Sequence, residues 1–316
     1  MTRHRLRNCA NVERFKLNRL STLDRVIGQR LRQLAVGVAL ACLAPGAAAD
    51  DKDALTWLLR DLPPLTIFEG PQKNLGAIDQ FIPLLIASMP QYQHSLLRVN
   101  RARAMQMLLE PSFTCDPSLV WNPQRAKRLA YSIPAYRIRS NGIVIRQQDH
   151  DLLAPFIVNN QVDLTQMLAA ESSRLGVVAE RSYGEVVDRI VQQAPNSSLA
   201  AHYGNDALGS LLQMQRLGRL SAVLGYWSEI RYQALQQGIA PTELEFFAIR
   251  GTDKYQSIHV ACSNTVQGRQ AISAINETIS RLRHTQLIEF YAQWLDPQMR
   301  SEYREDAKAF FDQQRP

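Results

Sequence analysis

Apolar positions along this chain follow two rhythms. Short unbroken apolar runs between turn residues read as buried strands, and apolar residues recurring every three or four positions read as helices. Leu55-Thr-Trp-Leu-Leu59 predicts a first strand, which Asp61-Leu-Pro-Pro64 breaks into a loop. A helix is predicted over 76–89, with Ile78, Phe81, Ile82, Leu85 and Ile86 on one face and Pro83 near its first turns, where proline is tolerated. Strand 95–99, helix 101–109, strand 118–121 and an extended stretch 138–146 follow. The alternation then repeats: helix 163–170 capped by Asp163, strand 174–179, helices 183–193 and 206–217, strand 221–224, helix 227–236 and strand 244–249. A short strand at 257–261 precedes two helices, 268–282 and 284–295, and a charged helical tail from Pro297. Strands alternating with amphipathic helices predict an α/β architecture.

The first 49 residues have a different pattern. Arg30 and Arg32 precede a ten-residue apolar run, Leu34 to Leu43, then Ala44-Pro-Gly-Ala-Ala-Ala49 and Asp50-Asp51. A basic region, a short apolar core and a small-residue cleavage site predict a secretory signal peptide over 1–49. The run is too short to span a bilayer, which needs about 20 residues. The basic region is long, and one reading makes 1–25 a mis-called start with translation beginning near Val26.

Charge supports this division. The chain of 316 residues carries 36 Lys+Arg and 29 Asp+Glu, a formal net charge of +7. Residues 1–49 hold nine of the basic and two of the acidic residues, leaving 27 of each from residue 50 onward. The body is formally neutral, so the basic footprint of a nucleic-acid binder is absent from it. Removing the leader also removes Cys9 and Cys42. Cys115 and Cys262 remain in an oxidising compartment, where a disulfide between them is the expectation and two buried thiols the alternative.

Catalytic motifs are sparse. The histidines (His4, His94, His150, His202, His259 and His284) show no H-E-x-x-H spacing, and neither a G-x-S-x-G elbow nor a phosphate loop occurs. Asp149-His150-Asp151 reads as a solvated loop rather than a metal site. No enzyme, no cofactor and no metal are expected.

Taken in order, several short motifs resemble the bacterial extracellular solute-binding proteins of family 3, which bind polar amino acids. They are Pro63-Pro64 and Gly76…Asp79, Asn122-Pro-Gln-Arg125, Tyr131-Ser-Ile-Pro-Ala-Tyr136, Gly142-Ile-Val-Ile-Arg146, Gly176-Val-Val178, Arg181-Ser-Tyr-Gly184, Leu217-Gly-Arg-Leu220, Ile275-Asn276 and Tyr291-Ala-Gln-Trp-Leu295. The resemblance covers about 53–300 and is closest to a poorly characterised periplasmic branch. It implies a type II periplasmic binding protein-like fold, two α/β lobes joined by two crossing strands. Lobe 1 would comprise 50–138 plus 250–316, and lobe 2 would comprise 139–249. Both cysteines then fall in one lobe.

The resemblance also implies a role: a monomer that captures a small polar, carboxylate-bearing solute for a membrane transporter, an ABC transporter component in the periplasm. A ligand-sensing module acting through a sensor protein is the alternative, and a dehydratase-like enzyme on the same fold a lesser one. Arg125 matches the arginine that grips the ligand carboxylate, which suits a guanidinium fork. Ser182 and Tyr183 precede a helix whose N-terminal N–H groups could meet an anion. Arg101 opens a helix near the expected cleft. Tyr226 and Trp227 are placed on the opposing wall, and Trp57 and Trp121 read as core residues that could instead line an aromatic pocket. The departures from the family lie at its ammonium subsite. Ser221 stands where an aspartate is common, Tyr226 falls near the ammonium position, Glu229 is the nearest acid, and Leu62 replaces the first-loop aromatic. An ordinary zwitterionic amino acid is therefore not the expected ligand.

Overall fold

The computed structural model describes residues 52–314 apart from positions 171 and 205. The predicted leader, with Cys9 and Cys42, lies outside the described residues. From Ala54 the chain forms β1 (Ala54–Leu59), α1 (Ala77–Ser88), β2 (Gln93–Arg98), α2 (Arg101–Leu109), β3 (Thr114–Val120), the single-turn α3 (Pro123–Ala126), β4 (Leu129–Tyr131) and β5 (Tyr136–Arg139). It continues through β6 (Gly142–Arg146), α4 (His150–Leu153), β7 (Ile157–Val158), β8 (Gln161–Val162), α5 (Leu164–Ala169), β9 (Leu175–Val178), α6 (Glu185–Gln193) and β10 (Leu199–His202). Then come α7 (Ala207–Arg216), β11 (Ala222–Gly225), α8 (Trp227–Gln236), β12 (Leu244–Ile249), β13 (Tyr255–Ser263), α9 (Val266–Leu282), α10 (Gln286–Ala292) and α11 (Pro297–Asp312).

The strands build two sheets, one per lobe. The first runs β2-β1-β3-β13-β4, with β5 also paired to β13, and the second runs β10-β9-β11-β6-β12-β8-β7. The chain passes between the sheets twice, from β5 to β6 and from β12 to β13. β1, β2 and β3 are mutually parallel, as are β9, β10 and β11. Parallel strands are covered on both faces, which explains why they read as unbroken apolar runs. Leu55, Trp57 and Leu59 enter the core on one face of the first sheet, while Leu58 meets Ala104, Leu108 and Leu119 on the other. In the second sheet Ile143 and Ile145 pack on one face and Val144 on the other.

The expected disulfide is formed. Cys115 on β3 and Cys262 on β13 are register partners in an antiparallel pair, with Cα atoms 4.0 Å apart. The bridge ties the strand that precedes the second lobe to the strand that follows it. A loop that long gains up to ~5 kcal/mol in the chain-entropy model. Two positions away the same pairing is interrupted: between Leu119↔His259 and Asp116↔Ala261 the register shifts by one residue. Pro117 falls in this gap, where it has no N–H to give to the ladder. Ser132 satisfies the stranded partner, because Val260 N–H donates to its Oγ at 2.9 Å and Ser132 N–H donates to Val260 O at 2.8 Å.

Some expectations need correction. The strand predicted at 118–121 begins earlier, at Thr114, and the stretch 138–146 is broken into β5 and β6 by Ser140-Asn141. Pro83 lies inside α1 beyond its first turn, on the exposed face, where the loss of one N–H leaves the packed face intact. Asp163 caps α5 as expected, accepting from Gln166 N–H at 3.0 Å.

Candidate functional site

The parallel strands of both sheets end at the cleft between the lobes, the usual location of a site in an open α/β sheet. Arg60 follows β1 directly. Beyond β2, Asn100 caps α2 by accepting from Arg103 N–H at 2.8 Å, which places Arg101 at the first helical position. Beyond β3, Asn122 accepts from the N–H groups of Gln124 and Arg125 at 3.0 and 3.2 Å, and α3 so formed carries Arg125. Across the cleft, the turn after β9 carries Arg181, preceded by Glu180 in left-handed backbone with φ 58°. Tyr226 follows β11.

These residues surround two chambers that share Arg60, Leu62, Arg101 and Arg181. The inner chamber, of about 20 Å³, is also lined by Arg125, Ser118, Ser182 and Tyr226. The outer one, of about 40 Å³, is bordered by Asp61, Asp206 and Glu229. Such volumes hold a few water-sized groups. A wider groove of about 380 Å³ passes Trp121, Tyr183, Tyr255 and Gln256.

Two of the arginines are paired with a carboxylate of their own lobe. Arg60 Nε donates to Asp116 Oδ2 at 2.8 Å, and its Nη2 donates to Asp116 Oδ1, Ser118 O and Ser118 Oγ. Arg181 forms a two-pronged pair with Glu229 at 3.1 and 2.6 Å, and both side chains are buried. Burial pulls the Arg181 pKa down, but Glu229 outweighs it and the net shift is upward. The guanidinium also lies over the Tyr226 ring, 5.0 Å from its centroid.

Arg101 and Arg125 differ from these. Among the described residues, no carboxylate lies within ion-pair reach of either guanidinium. Burial pushes the Arg101 pKa well down, and the charges of Arg60 and Arg181 push it further. One nitrogen of Arg60, Nη1, is likewise buried without a partner. Tyr131, beside Arg125, is pushed up to about 12 by burial, with Arg125 pulling the other way.

Of the residues singled out in the sequence, Arg101, Arg125, Ser182 and Tyr226 come together around the inner chamber. The donors expected of Ser182 and Tyr183 are already taken: Ser182 Oγ–H donates to Asp188 Oδ2 at 2.5 Å and Tyr183 N–H to Asp188 Oδ1 at 2.6 Å. The helix thus supplies its own anion. Tyr183 is buried and its hydroxyl, pushed up to about 12 by burial, accepts from Val178 N–H at 2.7 Å. Trp227 is not on the wall with Tyr226. Its ring packs on Phe246 and its Nε1–H donates to Asp296 across the lobes at 3.3 Å. Trp57 is core, donating from Nε1 to His94 Nδ1, whereas Trp121 is exposed in the wider groove. Ser221 Oγ accepts from Arg174 N–H at 3.3 Å and lines neither chamber.

Sequence reasoning missed Arg60–Asp116 and Arg181–Glu229, whose members lie 56 and 48 positions apart. One signal was available for the arginines: Arg60 directly follows an apolar strand and Arg181 comes just after another, where cleft residues collect. A second missed feature is a latch. Gln256 of β13 donates to Tyr183 O at 2.6 Å and accepts from Asn141 Nδ2 and Tyr226 OH, each at 2.9 Å. Gly184, with φ 102°, borders this latch, and a Cβ there would collide with the Gln256 amide.

No protein-family model matches the chain, and no curated protein matches it in sequence. Solved structures do match. A Salmonella typhimurium periplasmic binding protein of high arginine specificity is similar over 78% of this chain and 100% of its own, with TM-score 0.57 and 14% identity. The fold is that of the periplasmic binding proteins. A histidine kinase sensor domain with similarity to such proteins aligns over 77% of this chain and 96% of its own, with TM-score 0.59 and 14% identity. A Streptococcus pneumoniae substrate-binding protein of an amino acid ABC transporter, bound to L-arginine, covers 82% of this chain and 95% of its own, with TM-score 0.54 and 14% identity. Identities this low speak for the binding-protein fold alone. No helix among the described residues is long and apolar enough to cross a membrane.

Proposed function

We propose that this chain is a periplasmic solute-binding protein whose lobes, 50–138 plus 250–316 and 139–249, close on a small carboxylate-bearing solute and deliver it to a membrane transporter. One observation carries the reading. Arg101 and Arg125 stand in an interlobe chamber with no carboxylate of the protein to pair with. A guanidinium fork so placed gives a carboxylate two parallel charge-assisted bonds. Arg125→Ala is expected to weaken binding of a carboxylate solute by about 2 kcal/mol, roughly the cost of removing a charged hydrogen-bond partner. A thermal-shift titration of the purified protein checks this, and a loss below half that size overturns the clamp.

A second reading, a sensor module read by a protein partner, draws on the Gln256 latch, which joins the lobes through protein groups alone. Gln256→Ala is expected to loosen the lobes and raise the radius of gyration in solution scattering. An unchanged radius would count against that latch.

A further inference from the structure

We propose that the solute is a compact dianion, a short dicarboxylate or a phosphate-like oxyanion, rather than an amino acid. This rests on the solute-binding reading above and names its ligand class. The inner chamber is lined by Arg60, Arg101, Arg125 and Arg181. Asp116 and Glu229 neutralise Arg60 and Arg181 and leave two guanidinium charges without a protein counter-ion. Arg60 adds a buried, unpartnered Nη1–H group, although the side chain is only 5% exposed. Cations taken out of water without a partner are costly, and a ligand with two negative charges offsets that cost where a single carboxylate cannot.

Among the described residues, no carboxylate lines the inner chamber to receive an ammonium group. Both Glu229 oxygens accept from Arg181, and both Asp116 oxygens accept from Arg60. The Ser182 hydroxyl is given to Asp188 and the Tyr226 hydroxyl to Gln256. The remaining acids, Asp61 and Asp206, border only the outer chamber. Asp61 is held by Arg98 at 2.9 Å and Asp206 accepts from Gly209 N–H at 3.2 Å, and burial pushes both carboxyls towards their neutral form. On this reading the inner chamber is charged, and Trp57, Trp121 and Trp227 do not line it. A dianion site also sets the chain apart from the arginine-binding proteins that share its fold.

Isothermal titration of the full exported protein with malonate, succinate, inorganic phosphate, propionate, L-alanine and L-arginine tests the proposal. At least one dianion is expected to bind 100-fold tighter than propionate or either amino acid. Preference for malonate or succinate identifies a dicarboxylate site, and preference for phosphate identifies an oxyanion site. Arg101→Gln is expected to weaken dianion binding at least tenfold and to shrink its advantage over propionate. Arg101→Lys keeps the charge, and with it the preference, and covers the case in which the glutamine variant fails to fold. If L-arginine or L-alanine binds as tightly as the best dianion, the dianion inference falls while solute binding stands. If none of the six binds, both readings fall.

Discussion

Arg60 and Arg181 face the cleft from opposite lobes, and each grips a carboxylate of its own lobe. Arg101 and Arg125, both on the first lobe, grip none. One residue type in one chamber thus has two fates, decided by what the neighbouring strands deliver. β3 brings Asp116 beside Arg60, and the first turn of α8 brings Glu229 beside Arg181. Nothing acidic follows Val99 or Val120 within reach of the other two. The paired arginines tie elements of each cleft wall together, while the unpaired ones leave positive charge facing the chamber.

Removing one member of a buried pair is the strongest way to break this contrast. Glu229→Ala strands Arg181 as a buried, unpaired charge and is expected to destabilise the protein by about 3–5 kcal/mol in denaturant unfolding. The opposite sign is expected for an unpaired arginine. Arg101→Met removes a charge that burial disfavours, so the melting temperature should rise by roughly 2–4 °C, the equivalent of about 1 kcal/mol in a chain of this size. Anion binding should fall in the same variant. A drop in melting temperature would mean that Arg101 has a structural partner after all.

The smallest effect is expected far from the cleft. His150 Nδ1 lies 2.7 Å from Glu245 Oε2, and that hydrogen bond raises the histidine's pKa above 6.5. A folded-state pKa above the unfolded value gives stability that is present below about pH 6.5 and lost as the pH rises through the folded value. The pair is exposed, so His150→Gln should only flatten the fall in melting temperature on the alkaline side. An unchanged slope would show that the pair contributes nothing.

Much of the fold was legible in the sequence because buried parallel strands and packed helix faces leave long apolar signals. Ala222-Val223-Leu224, parallel to β9, reads as a strand for that reason, and Ile143-Val144-Ile145, antiparallel to both neighbours, does so because it lies in the middle of its sheet; both are fully buried. Edge and short elements were harder. β2, with residues mostly exposed, was read only in part, and β4 and β10, at three and four residues, were missed. Arg101 was legible as the opening residue of a helix, and Arg125 through the resemblance of Asn122-Pro-Gln-Arg125 to the family motif. Their lack of a carboxylate partner was not, since it depends on the whole lobe. Nor could local sequence reveal that Asp188 fills the donors of Ser182 and Tyr183, or that Trp227 turns to Asp296.

The account stands on an anion held between the two unpaired arginines. Crystals of the protein grown with sodium selenate, a dianion with an anomalous scatterer, test it in one experiment. The account predicts a selenium anomalous peak in the inner chamber, with selenate oxygens within hydrogen-bond reach of both Arg101 and Arg125. Selenium peaks confined to the outer surface, with the chamber empty at saturating selenate, would contradict it.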